Sequence, residues 1–193
     1  PGTAPRVPLL VLTNAENAAE VRAFFEQHGH FGLPAEDVLF FAQDMLPAVD
    51  AGGKILMAGK AALCLSPNGN GGVYRALARS GVLAELERRG VTHVVQTAVD
   101  NVLNRMADPA LLGFMAARGL DCCAKVVPRR SPTESVGLVV MKDGRPGVVE
   151  YTEIDPATAA ARDAAGALVY DAAHICNNGF TVAVLKRVGT TFL

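Results

Sequence analysis

The chain has 193 residues, with 18 Lys and Arg, 19 Asp and Glu, 4 His, half of its residues apolar and a net charge of −1. That length fits one domain or a piece of a larger one, and an apolar content this high excludes a disordered chain. The near-neutral balance, with no long charge run, argues against a nucleic-acid partner, and no apolar stretch approaches the roughly 20 residues that cross a bilayer.

Pro1-Gly-Thr-Ala-Pro5 has no cationic region followed by an apolar one, so it does not read as a signal peptide. It lacks an initiator Met, and the chain stops at Thr191-Phe-Leu193, so both ends read as those of a fragment. Four cysteines, two of them adjacent as Cys122 and Cys123, fit free thiols in a reducing, cytoplasmic compartment. Their spacing offers no zinc cage.

In chain order, Pro8–Thr13 is a short apolar run that predicts a buried strand. Thr13-x-x-Glu16 reads as a capping box for the helix that follows. Val21, Phe24 and Phe25 form its apolar stripe, and Gly29 can stop it. Val38–Ala42 and Leu63-Cys-Leu65 are further strand candidates. Val73–Arg79 and Val82–Arg89 are predicted helices, and Val91–Val99 is a strand ending at Asp100. Asp108-Pro109 is an N-cap followed by Pro at the first helical position, and Gly119 closes that helix. Asp121–Val127, Val136–Met141 and Val148–Tyr151 are strands, the last two joined by a tight turn at Asp143-Gly144. Asp155-Pro156 opens one more helix. Strand and helix in alternation predict an α/β fold: a mostly parallel sheet flanked by helices, with an antiparallel hairpin inserted.

In such sheets ligands bind beyond the carboxyl ends of the strands. Pro67-Asn-Gly-Asn-Gly-Gly72 lies between a strand and a helix. Its glycines allow close approach of a ligand, and the helix behind it offers free N–H groups to an anion; a flexible turn is the plainer reading. It is neither a P-loop nor a dinucleotide fingerprint. Asp100 ends a long strand and suits either one-point ligation of Mg²⁺ beside substrate phosphates or the capping of a turn. Gly137 allows close approach at a strand start or marks a bulge. Glu150 can accept from sugar hydroxyls or be a plain surface residue. Gln43 follows a strand, where a base could be read. Lys125 either reaches a phosphate or snorkels at an edge, and Arg129-Arg130 reads as a solvated turn.

The order of these segments resembles the UDP-sugar pyrophosphorylase family, and within it the eukaryotic UDP-N-acetylglucosamine pyrophosphorylases. The matching pieces are Phe40–Pro47, Pro67–Leu77, Val99-Asp-Asn101, Asp108-Pro109 with Gly113-Phe114, Ala124–Val127, Pro132–Gly137, Val148–Ile154 and Ile175-Cys-Asn177. They are collinear, similarly spaced, and cover nearly the whole chain. The resemblance implies a GT-A-like fold, with residues 1–193 forming part of a nucleotidyltransferase catalytic domain. It implies transfer of a uridylyl group from UTP to N-acetylglucosamine 1-phosphate with Mg²⁺, releasing pyrophosphate. By matching position, Gln43 and Gly69 contact uracil, and Asp100 serves the α-phosphate and the metal. Asn70, Gly137, Glu150, Tyr151, His174 and Asn177 line the N-acetylhexosamine pocket. The alternatives are another sugar 1-phosphate, or a UDP-sugar-binding module without catalysis.

Three departures stand out. The family's Gly-rich, Arg-containing triphosphate loop has no counterpart in these 193 residues. Neither has its later phosphate-binding Lys. His174-Ile-Cys-Asn-Asn178 stands where the family reads Asn-Ile-x-Asn-His, so a His occupies the place of a sugar-binding Asn.

Overall fold

A computed structural model describes residues 6–191. The chain falls into two compact units, one formed by Pro1–Thr92 with Val182–Leu193 and the other by His93–Thr181.

In the first unit, β1 (Leu9–Thr13) leads into α1 (Ala18–Gln27) and returns as β2 (Val38–Ala42). β1 and β2 pair in parallel, Leu9 opposite Val38. The predicted Thr13/Glu16 capping box does not form. Thr13 Oγ1 instead donates to the Phe41 carbonyl, and the Asn14 side chain accepts from the amides of Glu16 and Asn17. An Asx turn therefore competes successfully for the amides that the box would have used. Three short strands and a two-residue one follow: β3 (Met45–Pro47), β4 (Met57–Gly59), β5 (Ala62–Leu63) and β6 (Leu65–Pro67). β3 pairs antiparallel with β6. α2 (Gly72–Arg79) and α3 (Val82–Arg88) bury Val73, Ala76, Leu77, Leu83 and Leu86.

The second unit opens with β7 (His93–Thr97), followed by α4 (Pro109–Arg118) and β8 (Cys122–Pro128). α4 starts as its sequence predicts: Asp108 Oδ1 accepts from the Ala110 amide, and Gly119 ends the helix at φ 60°. β9 (Leu138–Lys142) and β10 (Arg145–Val149) form the predicted hairpin. Asp143 and Gly144 both take positive φ, 52° and 74°, as a type I′ turn requires. α5 (Pro156–Ala159) precedes the long strand β11 (Ala172–Thr181). α6 (Val182–Thr191) then returns to the first unit and lies close on α2, where a Cβ on Gly189 would be 2.7 Å from Ala78 Cβ.

The fold is mixed α/β, and most of its described strand pairings are antiparallel. Among the described residues, β1–β2 is the parallel pair and the remaining pairings are antiparallel. The physical reason lies in β11. It pairs antiparallel with β7 on one edge and with β8 on the other. β7 and β8, joined through α4, thus run in the same direction, as alternation predicts, and an antiparallel strand occupies the place between them.

Candidate functional site

In the first unit the strand pairing of β3 with β6 brings Gln43 to the glycine loop. The Gln43 amide donates to the Thr13 carbonyl at 2.9 Å, and the Asn68 amide donates to the Asp44 carbonyl at 3.2 Å. A Cβ on Gly72 would stand 3.0 Å from Gln43 Oε1 and 3.2 Å from Asn68 Cβ. Gly72 is thus the glycine that close packing demands. Gln43 Oε1 is buried without a hydrogen-bond partner. Such an acceptor is expensive to leave unmade, on the order of 1–3 kcal/mol. Gly69 has φ 64° with open space around its Cβ position, and Asn70 is exposed beside it. Gln43, Gly69 and Asn70 therefore share one end of this unit.

In the second unit Gly137 and Glu150 are in contact. A Cβ on Gly137 would lie 2.9 Å from Val148 Cγ1 and 3.3 Å from Glu150 Oε1. Glu150 and Tyr151 lie just past the end of β10 rather than on its arm, and both are exposed. The turn there is held by the Glu153 and Ile154 amides, which donate to the Glu150 carbonyl. His174 joins this group through its backbone, whose amide donates to the Gly137 carbonyl at 2.8 Å.

β11 carries an irregularity between His174 and Asn177, where Cys176 takes φ 51°. The His174 ring bonds Asn178 Oδ1 at 2.9 Å through Nε2. Asn177 points to the opposite face by strand alternation. That face meets α4, for a Cβ on Gly179 would be 2.4 Å from Met115 Sδ. Asn177 is 1% exposed, and its Nδ2 donates to Asn104 Oδ1 at 2.7 Å. The sheet therefore separates Asn177 from His174, two residues that the sequence reading grouped together.

Asp100 lies in the exposed segment after β7. Its carboxylate has no partner among the described residues, and no cluster of three metal-ligating side chains occurs among them. A single free carboxylate suits a cation whose other ligands are phosphate oxygens and water.

Two further expectations are corrected. Lys125 does not reach outward as a free cation; its Nζ donates to Asp108 Oδ2. Lys125 holds the Asp108 carboxyl below its ordinary range, and the Ala110 amide adds to the effect. Arg129 is not part of a solvated turn. It is 6% exposed and donates to the carbonyls of Ala159 and Pro132. Sequence reasoning missed Asn104 as well, since a lone Asn in a loop carries no pattern.

The sequence pattern of the UTP–glucose-1-phosphate uridylyltransferase family matches residues 3–188. The chain belongs to that family. Within this uridylyltransferase family it is 46% identical over 182 residues to UDP-N-acetylhexosamine pyrophosphorylase-like protein 1 of Xenopus tropicalis, covering 94% of this chain and 36% of the relative. It is 44% identical over 191 residues to the Homo sapiens protein of the same name, covering 99% of this chain and 38% of that one. The Saccharomyces cerevisiae UDP-N-acetylglucosamine pyrophosphorylase is 41% identical over 182 residues, covering 94% and 38%. The chain thus spans less than two-fifths of the length of these relatives. Among solved structures, the uridine diphosphate N-acetylglucosamine pyrophosphorylase from Trypanosoma brucei, in complex with inhibitor, superimposes with a TM-score of 0.88 at 36% identity, over 97% of this chain and 38% of that one. The UDP-glucose phosphorylase of the same organism reaches 0.76 at 19% identity, over 94% of this chain and 40% of that one, a likeness of fold alone.

Proposed function

We propose that the full-length protein transfers the uridylyl group of UTP to N-acetylglucosamine 1-phosphate. A phosphate oxygen of the sugar attacks the α-phosphorus of UTP, the bond to the β-phosphate breaks, and pyrophosphate leaves. The observation that carries this reading is likeness along nearly the whole chain to proteins named for this chemistry, with Gln43 set against the Asn68–Gly72 loop. Residues 1–193 act in this reading as part of one catalytic domain of a cytoplasmic enzyme. The parallel pair β1–β2 belongs to a larger GT-A-like, mostly parallel sheet.

In this reading Gln43 and Gly69 take the uracil, the unmet Gln43 Oε1 accepting from the base. Asn70, Gly137, Glu150, Tyr151 and His174 hold the sugar, and Asn177 supports the pocket from the other face of β11. Asp100 would hold a Mg²⁺ ion, which when bound would neutralise charge on the phosphates. The chain's own work is positioning, which can supply about 7–11 kcal/mol of the barrier. His174 in place of an Asn favours a second reading, in which N-acetylgalactosamine 1-phosphate is also accepted.

The test is pyrophosphate release by the full-length protein from UTP with N-acetylglucosamine, N-acetylgalactosamine or glucose 1-phosphate. Turnover should favour the acetamido sugars. Asp100→Asn should lower kcat by about 10²-fold, as loss of one preorganised electrostatic group does, and weaken the Mg²⁺ dependence. A protein that binds UDP-sugars but releases no pyrophosphate would establish a binding module instead.

A further inference from the structure

Asp100 sits on a segment with little apolar anchoring. Val99, Val102 and Leu103 are 99%, 88% and 91% exposed, and residues 98–107 contain no helix or strand. Local turns such as the Asn104 amide donating to the Asn101 carbonyl at 3.1 Å shape the segment without anchoring it. Two side chains in it bond the sheet: Met106 Sδ weakly accepts from Thr97 Oγ1 at 3.4 Å, and Asn104 Oδ1 accepts the shorter, 2.7 Å bond from Asn177 Nδ2, across 73 positions of sequence. Asn177 is a rigid anchor. It is fully buried and lies opposite Thr97 on one neighbouring strand and Lys125 on the other. Whichever way the two amides are assigned, one donor and one acceptor of the pair stay unmet. A pair with half its capacity unused is a poor device for stability but a definite fix of position.

We infer that Asn104 is a positioning residue that fixes the 98–107 loop, and Asp100 with it, by clamping to Asn177. The inference rests on the role proposed for Asp100. Displacing a reacting constellation by about an ångström can lose on the order of 10²-fold in rate.

The test uses the full-length protein, with pyrophosphate release measured over UTP and Mg²⁺ titrations. Asn104→Leu removes the acceptor, and Asn104→Gln keeps the amide but shifts it by one methylene. Both should lower kcat by about 10- to 100-fold, move the Mg²⁺ half-saturation point and leave the KM for UTP near its original value. Asn104→Asp retains an acceptor for Asn177 Nδ2 and should recover most of the turnover that Asn104→Leu loses. Asp100→Asn is measured alongside. If Asp100→Asn is silent, the role of Asp100 fails and the inference with it. If Asp100→Asn is impaired while Asn104→Leu keeps its kcat and Mg²⁺ dependence, the inference alone is overturned. Equal impairment of all three Asn104 variants in kcat and in KM would likewise overturn it, as a merely structural role. Should Asn104→Leu not fold, the contrast between Asn104→Gln and Asn104→Asp decides on the same readouts.

Discussion

Gln43 Oε1 and the Cα of Gly72 are packed so closely that one methyl group on the glycine would stand 3.0 Å from the oxygen. The acceptor proposed to read the base is therefore located by a missing side chain. Gly72→Ala should push the Gln43 amide aside and remove its hydrogen bond to uracil, a net loss of about 0.5–1.5 kcal/mol. Calorimetry should find UTP binding weakened up to roughly tenfold. Unchanged affinity would take Gln43 out of the nucleotide site.

Gly69 makes a different demand. Its φ of 64° suits Gly or Asn, and the space at its Cβ position is open. If uracil fills that space, Gly69→Asn should keep the loop conformation and the melting temperature while obstructing the base. Gly69→Val should lower both UTP affinity and stability, since a β-branched residue resists positive φ. The pair of variants separates ligand contact from backbone strain, and tight UTP binding by Gly69→Asn would sink the assignment.

His174 is tied at both ends, by its amide to Gly137 and by its ring to Asn178. His174→Asn would remove the ring from Asn178 Oδ1, leaving Asn178 with its 3.5 Å bond to Gln96, and would shorten the side chain at this position. The ratio of kcat/KM between N-acetylglucosamine and N-acetylgalactosamine 1-phosphates should then move by roughly tenfold, the scale of one side-chain contact. A ratio that stays put would leave the ring with Asn178 as its whole task.

Asp108 predicts an acid-sensitive step in the second unit. Lys125, then the Ala110 amide, hold its carboxyl below the ordinary 3.8. A depressed folded value means that the group stabilises the fold above the unfolded value and loses this as pH falls through the lower folded one. Asp108→Asn keeps a capping acceptor but removes the charge. Chemical denaturation should show a stability gap between the two proteins that is level above about pH 5 and narrows below the ordinary Asp range. A gap independent of pH would mean that packing, not the ion pair, sets the contribution.

Local signals wrote some of this fold plainly. The Asp108-Pro109 start and Gly119 end of α4, and the Asp143-Gly144 turn, each depend on residues adjacent in sequence. β11 carried no such signal. Asn177-Asn178-Gly179 is poor strand material, and the strand forms because β7 and β8 flank it. Its place between them makes both of their pairings antiparallel, although β7 and β8 keep the common direction that alternation predicts. The site divides in the same manner. Gln43 and the glycine loop could be picked out because each lies at a strand end, and the structure brings Gln43 against Gly72. The pairing of Asn104 with Asn177 could not be, because it joins residues far apart through a strand that could not itself be read.

The irregularity in β11 gives this strand room to change length. Between the His174–Val126 and Asn177–Lys125 pairs, β11 advances three residues while β8 advances one. Two residues, Ile175 and Cys176, are looped out, and Asn177 and Gly179 keep their face toward α4. Deleting one of them would leave a single extra residue, which a strand absorbs as an ordinary bulge with its faces kept. Losing both would restore an unbroken ladder and keep every face. The looped-out pair is thus the place on β11 where the strand can change length without turning Asn177 or Gly179 from α4.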